Sequence, residues 1–102
     1  NTEIQSSLDV EQEFLYNLNQ FFINLFNTQG VTDNGKISTI YCLKKYIDDV
    51  NKNPDEILNQ YNTYKHRYLF TGIIGYFYEY RIGTTVDYHK AFDIYSQAAK
   101  DF

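Results

Sequence analysis

The residues of this chain that could do chemistry are few: His66, His89, the single Cys42, and the consecutive acids Asp48-Asp49 and Asp55-Glu56. A bound metal asks for spacings such as C-x-x-C or H-E-x-x-H, and neither histidine nor the cysteine stands at one. A nucleophilic thiol needs a base or cation beside it to lower its pKa. Cys42 instead follows Ile40 and Tyr41 and precedes Leu43, which points to a buried, inert thiol. Carboxylates at consecutive helical positions diverge by about 100° around the axis, so they do not converge on one reacting atom. They read as helix caps and solvated surface. No G-x-x-x-x-G-K-S/T loop and no G-x-S-x-G elbow occurs, and Gly72 and Gly75 lie inside an apolar stretch rather than at a helix start, where phosphate would bind. The expectation is a protein without a catalytic site, a metal or a cofactor.

Composition narrows the classes further. The chain has 102 residues, 43% apolar and 22% charged, enough for one core. Eleven Tyr and eight Phe, with no Trp and no Met, mean that this core is built of rings. Nine basic residues against thirteen acidic ones give a net charge of −4, and the basic ones are dispersed, so the electrostatic footprint of a nucleic-acid binder is missing. A single-strand platform, which interleaves exposed rings with basic residues, is disfavoured for the same reason. No apolar run has the length of a membrane span. One cysteine and no Asn-x-Ser/Thr acceptor fit a reducing, cytoplasmic setting. With no initiating Met and no leader, the chain reads as a portion excised from a longer soluble protein.

The elements that must position these residues are helical. Apolar residues recur at three and four from Leu8 through Phe14, Leu18, Phe21 or Phe22, Leu25 and Phe26, predicting a first helix capped by Ser7 or Asp9 and ending near Gln29-Gly30. The break VTDNG, residues 31–35, precedes a second helix over 36–51 with Ile37, Ile40, Leu43, Ile47 and Val50 on its apolar stripe. Asn53-Pro54-Asp55-Glu56 is a strong helix start, with Pro in the first turn and acids at the positive dipole end. It opens a third helix to about Tyr61, and Asn62-Thr63 offers a turn. A fourth helix is expected from Lys65 to about Arg81. No segment alternates as a strand would, so the predicted fold is all-α. It is a bundle of about five helices, with residues 1–64 as a lead-in and 65–102 as a terminal hairpin packed with it.

The stretch GYFYEYRIGTTVDYHKAFDIYSQAA, residues 75–99, carries the most information. Gly72 and Gly75 lie three apart in the fourth helix, where each costs about 0.8–1 kcal/mol relative to alanine. Close approach by the next helix, through Ala91, Ala98 and Ala99, would offset that cost. Gly83 suits a left-handed helix end and Asp87 a helix cap. The order Gly75, Tyr78, Gly83, Asp87, Lys90-Ala91, Tyr95 and Ala98-Ala99 resembles the Sel-one-like repeat, a relative of the tetratricopeptide repeat. Its pattern is approximately L-G-x-x-Y-x-x-G-x-G-V-x-x-D-x-x-K-A-x-x-W/Y-Y-x-x-A-A. Ile74, Arg81, Thr84 and Ile94 depart from it. The likeness covers residues 66–101, one unit.

The resemblance implies an antiparallel helical hairpin of the α-solenoid type and a non-catalytic role in holding another protein or peptide segment. The first repeat helix lines the concave surface in that family, which makes Tyr76, Glu79 and Tyr80 the candidate partner-binding residues. Gly72, Gly75, Tyr78, Gly83, Asp87, Ala91, Tyr95, Ala98 and Ala99 take packing roles. Because repeat hairpins stack on their neighbours, and the fourth helix is apolar almost all round, a homo-oligomer formed through residues 69–102 is expected. Residues 8–64 are similar to helical lead-ins of family members that carry a kinase-like domain. The alternative is therefore a regulatory or spacer segment without binding activity of its own.

Overall fold

The computed structural model describes the backbone of residues 2–30, 32–85 and 87–100, and side chains of residues 10–30, 32–85 and 87–98. The described residues form an all-α structure. Its helices are α1 Thr2–Gln29, α2 Asp33–Asp49, α3 Pro54–Thr63, α4 Thr71–Glu79 and α5 Tyr88–Lys100, with a 3-10 turn at Arg67–Phe70 before α4. The chain forms two compact units, Asn1–Thr39 and Ile40–Phe102, so that α3 groups with α4 and α5.

In the first unit α1 begins earlier than the sequence suggests. The backbone at Ser7 and Asp9 is helical, so neither stands at the helix start, and their side chains lie outside the described residues. Leu15, Leu18 and Phe22 are the buried stripe of α1, while Phe26 is partly exposed with its ring 5.9 Å from that of Phe22. The helix closes at Gly30, which adopts φ +79° and donates its N–H to the Phe26 carbonyl at 3.2 Å. Thr32 then caps α2: its Oγ1 accepts the Gly35 N–H at 3.2 Å, so the helix starts at Asp33 instead of Lys36.

The stripe of α2 is shorter than the expected one, which Ile37 leaves at one end and Val50, past the helix end at Asp49, at the other. Leu43 and Ile47 are buried, but Ile37 is 64% exposed and Val50 is exposed as well, while Thr39 is buried. At about 100° per residue Ile37 stands roughly 120° away from Leu43, whereas Thr39 is only about 40° away. Burial of Thr39 is tolerated because its hydroxyl donates to the Gly35 carbonyl at 2.9 Å. Asn51, at φ 58°, ends this helix: the N–H of Asn51 reaches the Asp48 carbonyl and that of Lys52 the Ile47 carbonyl, the paired bonds of a left-handed helix stop.

In the second unit Pro54 opens α3, with Asp55 and Glu56 in its first turn. The Asn53 side chain makes no cap bond to the helix and donates instead to Glu56 Oε1 at 3.3 Å. The third helix runs two residues past Tyr61, and the chain turns at Tyr64–His66. What the periodicity suggests as one helix from Lys65 is interrupted there. Tyr64 is extended (φ −70°, ψ 131°), and the Arg67 and Leu69 N–H groups bond three residues back, to Tyr64 and His66. The tighter winding turns Tyr68 and Leu69 to solvent and Phe70 inward. Leu69 therefore does not continue the stripe of Ile73 and Tyr76.

Rings fill the interior of this unit. Tyr61 lies 5.0 Å from Phe70 and 6.3 Å, edge-on, from Phe77, and Tyr64 stacks on Phe70 at 5.9 Å. Ile57, Leu58, Ile73 and Ile82 close the space around them.

Candidate functional site

The hairpin of α4 and α5 is held by a short list of specific bonds. The fourth helix stops at Arg81, a non-glycine residue at φ 62°, and the Ile82 N–H reaches back to the Phe77 carbonyl at 2.9 Å. Arg81, and not Gly83, is thus the left-handed residue that closes α4. Gly83 follows at φ +73°, and a β-carbon there would lie 2.6 Å from the Pro54 oxygen and 2.7 Å from the Asp55 nitrogen. The loop is seated directly on the first turn of α3. The Tyr78 carbonyl accepts the Asp87 N–H at 3.0 Å, and Asp87 Oδ1 accepts the Lys90 N–H at 2.9 Å, capping α5.

Gly75 is buried, as close approach requires, but what approaches is a ring and not an alanine. A β-carbon at Gly75 would stand 2.6 Å from Cζ and 3.0 Å from Cδ1 of Tyr95. The Tyr95 ring packs against the glycine, and its hydroxyl donates to Glu79 Oε1 at 3.2 Å. Gly72 is exposed, Ala91 is buried and Ala98 half-buried. The side chain of Ala99 lies outside the described residues.

Tyr76, Glu79 and Tyr80 come together around this contact. Tyr76 is only 4% exposed and its ring centroid is 4.4 Å from that of Tyr80. Glu79 and Tyr80 are half-buried. Burial first, and then the Glu79 carboxylate, push the Tyr80 and Tyr95 phenols well above their ordinary value of 10. Burial alone does the same for Tyr61. Phenols held protonated in this way do not serve as bases at neutral pH; they donate hydrogen bonds and pack.

The sign of the pH effect follows. A folded-state pKa above the unfolded one contributes stability that is whole below pH 10 and is lost as pH rises past it. The urea midpoint is expected to hold steady between about pH 7 and 9 and to fall above about pH 10, and Tyr61→Phe should make that fall shallower. A midpoint insensitive to alkali would contradict the burial of these phenols.

Two surface features of the same unit escaped the sequence reading. Tyr88 (67% exposed), Phe92 (69%) and Tyr95 (36%) stand at i, i+4 and i+7 of α5, an uncovered aromatic stripe. Tyr88 is close enough to Tyr80 to act electrostatically on its phenol, so the stripe continues toward Tyr80. The apolar face of α4, by contrast, is covered: Ile73, Ile74, Tyr76 and Phe77 are all buried. The i, i+4, i+7 spacing on α5 was available in the sequence; what hid it was the placing of Tyr95 in the core alone.

The second feature is a groove of about 330 Å³ where the end of α3 and the 3-10 turn meet α4 and α5. Ile74, Ile94 and Ala98 supply its apolar part, and Asn62, Arg67 and Lys90 much of its polar part. The Asn62 amide donates to the Tyr78 hydroxyl at 2.9 Å, the Arg67 guanidinium to the Asn62 carbonyl at 3.4 Å, and the Lys90 ammonium lies 5.6 Å from the centre of the Tyr78 ring.

The residues first considered for chemistry remain apart. Cys42 is half-buried rather than buried, His66 packs edge-on between Tyr64 and Tyr68, and His89 is exposed. Among the described residues no three His, Cys, Asp or Glu side chains are grouped as a metal site would need. No described helix is long and apolar enough to cross a membrane. No family model matches the chain, and no curated protein and no solved structure matches it either.

Proposed function

We propose that this chain is a non-catalytic protein-interaction or scaffold module whose α4–α5 hairpin is of the Sel-one-like repeat type and whose working surface is α5 with the residues beside it. The uncovered stripe of Tyr88, Phe92 and Tyr95 carries the reading. Large exposed rings at helical spacing on one face are what a docking surface offers, because tyrosine and phenylalanine give much contact area for little rotamer entropy. Support for the repeat type comes from the glycine under Tyr95, the left-handed Gly83 and the Asp87 cap, all at positions of that pattern. Glu79 and Tyr80 extend the surface, and Tyr76, buried beneath Tyr80, sets its height. We place the module in the cytoplasm, where the lone Cys42 stays reduced.

Stacks of repeats cover such a stripe with a neighbouring hairpin, and a second copy of this chain can provide the same cover. Sedimentation velocity at micromolar concentration is expected to show a dimer, and Phe92→Glu, which places a charge at the centre of the stripe without touching the interior, should give a monomer of unchanged helicity. A parent chain that sediments as a monomer, or a Phe92→Glu variant that still dimerises, would remove α5 as the self-association face. The spacer reading would then stand ahead.

A further inference from the structure

We infer that the groove beside α5 is a docking site for an acidic peptide segment, one that sets an Asp or Glu side chain between Arg67 and Lys90 and an aliphatic side chain on Ile74 and Ile94. The inference rests on the interaction-module reading and names the partner chemistry for a second face of it. On α5 the groove residues Lys90, Ile94 and Ala98 lie to one side of buried Ala91, and Tyr88 and Phe92 to the other, at about 100° per residue. A partner in the groove and a partner on the stripe therefore do not compete.

Charge is the argument for the occupant. Asn62 links the groove's basic groups: its backbone carbonyl holds the Arg67 guanidinium, its side-chain amide holds the Tyr78 hydroxyl, and the Tyr78 ring carries the Lys90 ammonium over its face. Neither Arg67 nor Lys90 makes an ion pair among the described residues. Two cations and one acid, Asp93, thus line one groove together with the aliphatic Ile74, Ile94 and Ala98, a local cationic excess on a chain whose net charge is −4. An anion is attracted there by the local arrangement and not by the overall field, and the guanidinium keeps N–H groups free of the Asn62 bond to grip a carboxylate. Asp93, one turn from Lys90 on α5 and also in the groove, repels a second carboxylate, so the segment carries a single acid there.

An acidic side chain is favoured over a terminal carboxylate. Terminal carboxylates are caught by runs of free backbone N–H groups, whereas on α5 the groove's Lys90 N–H is taken by Asp87 Oδ1 and Asp93, Ile94, Gln97 and Ala98 lie past the first helical turn. Lys90 to Ala98 spans eight residues, about 12 Å of helix, which matches about four residues of an extended segment.

The test uses fluorescein-labelled hexapeptide pools, acetylated and amidated, with one fixed Glu and flanking Leu, Ile or Val, against matched pools with Gln or Lys in place of Glu. Fluorescence polarisation in low salt is expected to favour the Glu pool over the Gln pool by about tenfold, with the preference shrinking as salt rises. Arg67→Gln with Lys90→Gln should erase that preference, whereas Lys45→Gln, which removes the same kind of charge far from the groove, should keep it. Lys90→Glu should turn the preference toward the Lys pool. Equal binding of the Glu and Gln pools, or equal losses from Lys45→Gln and the groove pair, would overturn the assignment. If that happens while Phe92→Glu still separates the copies, the acidic segment alone is rejected and the interaction reading is kept.

Discussion

Gly83→Ala is expected to destabilise the protein by about 3–5 kcal/mol, enough to unfold a small domain of ordinary stability or bring it to the edge. Two costs add at this position. The backbone sits at φ +73°, where a side chain costs about 1–2 kcal/mol. The new β-carbon would also stand within 2.7 Å of three backbone atoms of Pro54 and Asp55. None of these can swing aside, because Pro54 has a locked φ and stands at the start of α3. Relief would require lifting the whole loop from α3, with loss of the packing beneath Ile82. Urea unfolding followed by circular dichroism reads the effect directly. A midpoint shift worth a few tenths of a kcal/mol would show that the loop is free to move and that its seat on α3 is not what holds the hairpin in place.

Gly75→Leu is expected to cost about 2–4 kcal/mol through a different neighbour. The obstruction here is the Tyr95 ring, a side chain at the surface of α5, and it can escape by swinging into solvent. Escape would sacrifice the packing of the ring on α4 and the hydrogen bond from its hydroxyl to Glu79 at 3.2 Å. The contact is tested by a double-mutant cycle in urea, pairing Gly75→Ala with Tyr95→Ala. The alanine at 75 should be clearly destabilising beside Tyr95, and close to neutral or mildly stabilising once the ring is gone, since alanine is the better helix former. Equal losses in both backgrounds would place the need for glycine elsewhere than under the ring. The same cycle bears on the surface, because a displaced Tyr95 changes the stripe with Tyr88 and Phe92.

How much of this was legible in the sequence depends on the kind of signal. Several helix-terminus signals were: Gln29-Gly30, Pro54 and Asp87 act within a few residues of chain, whereas Arg81 and not Gly83 closes α4 and the Asn53 side chain makes no cap bond. The long helical periodicity of α1 and the absence of strand alternation likewise set the all-α class, because local spacing is enough to read them. On α2 Leu43 and Ile47 are inside as their spacing suggests, but Ile37 and Val50 count as apolar wherever they stand, while Thr39 satisfies its own hydroxyl and can be buried.

Everything that depends on partners distant along the chain was decided by tertiary structure. The interruption at Tyr64–His66 follows from α3 ending in an extended residue and Phe70 turning in against Tyr61, a ring contact across nine residues. That Gly75 answers to the Tyr95 ring and not to an alanine depends on how α5 is rotated against α4. So does the groove, because Arg67 and Lys90, 23 positions apart in the sequence, line it together through contacts with Asn62 and Tyr78. By itself the sequence determined the helical class and some of the helix boundaries, because these are local energies. Which faces the helices turn toward each other, and hence which rings and charges are left for a partner, is fixed only when side chains far apart in the chain compete for the same interior space.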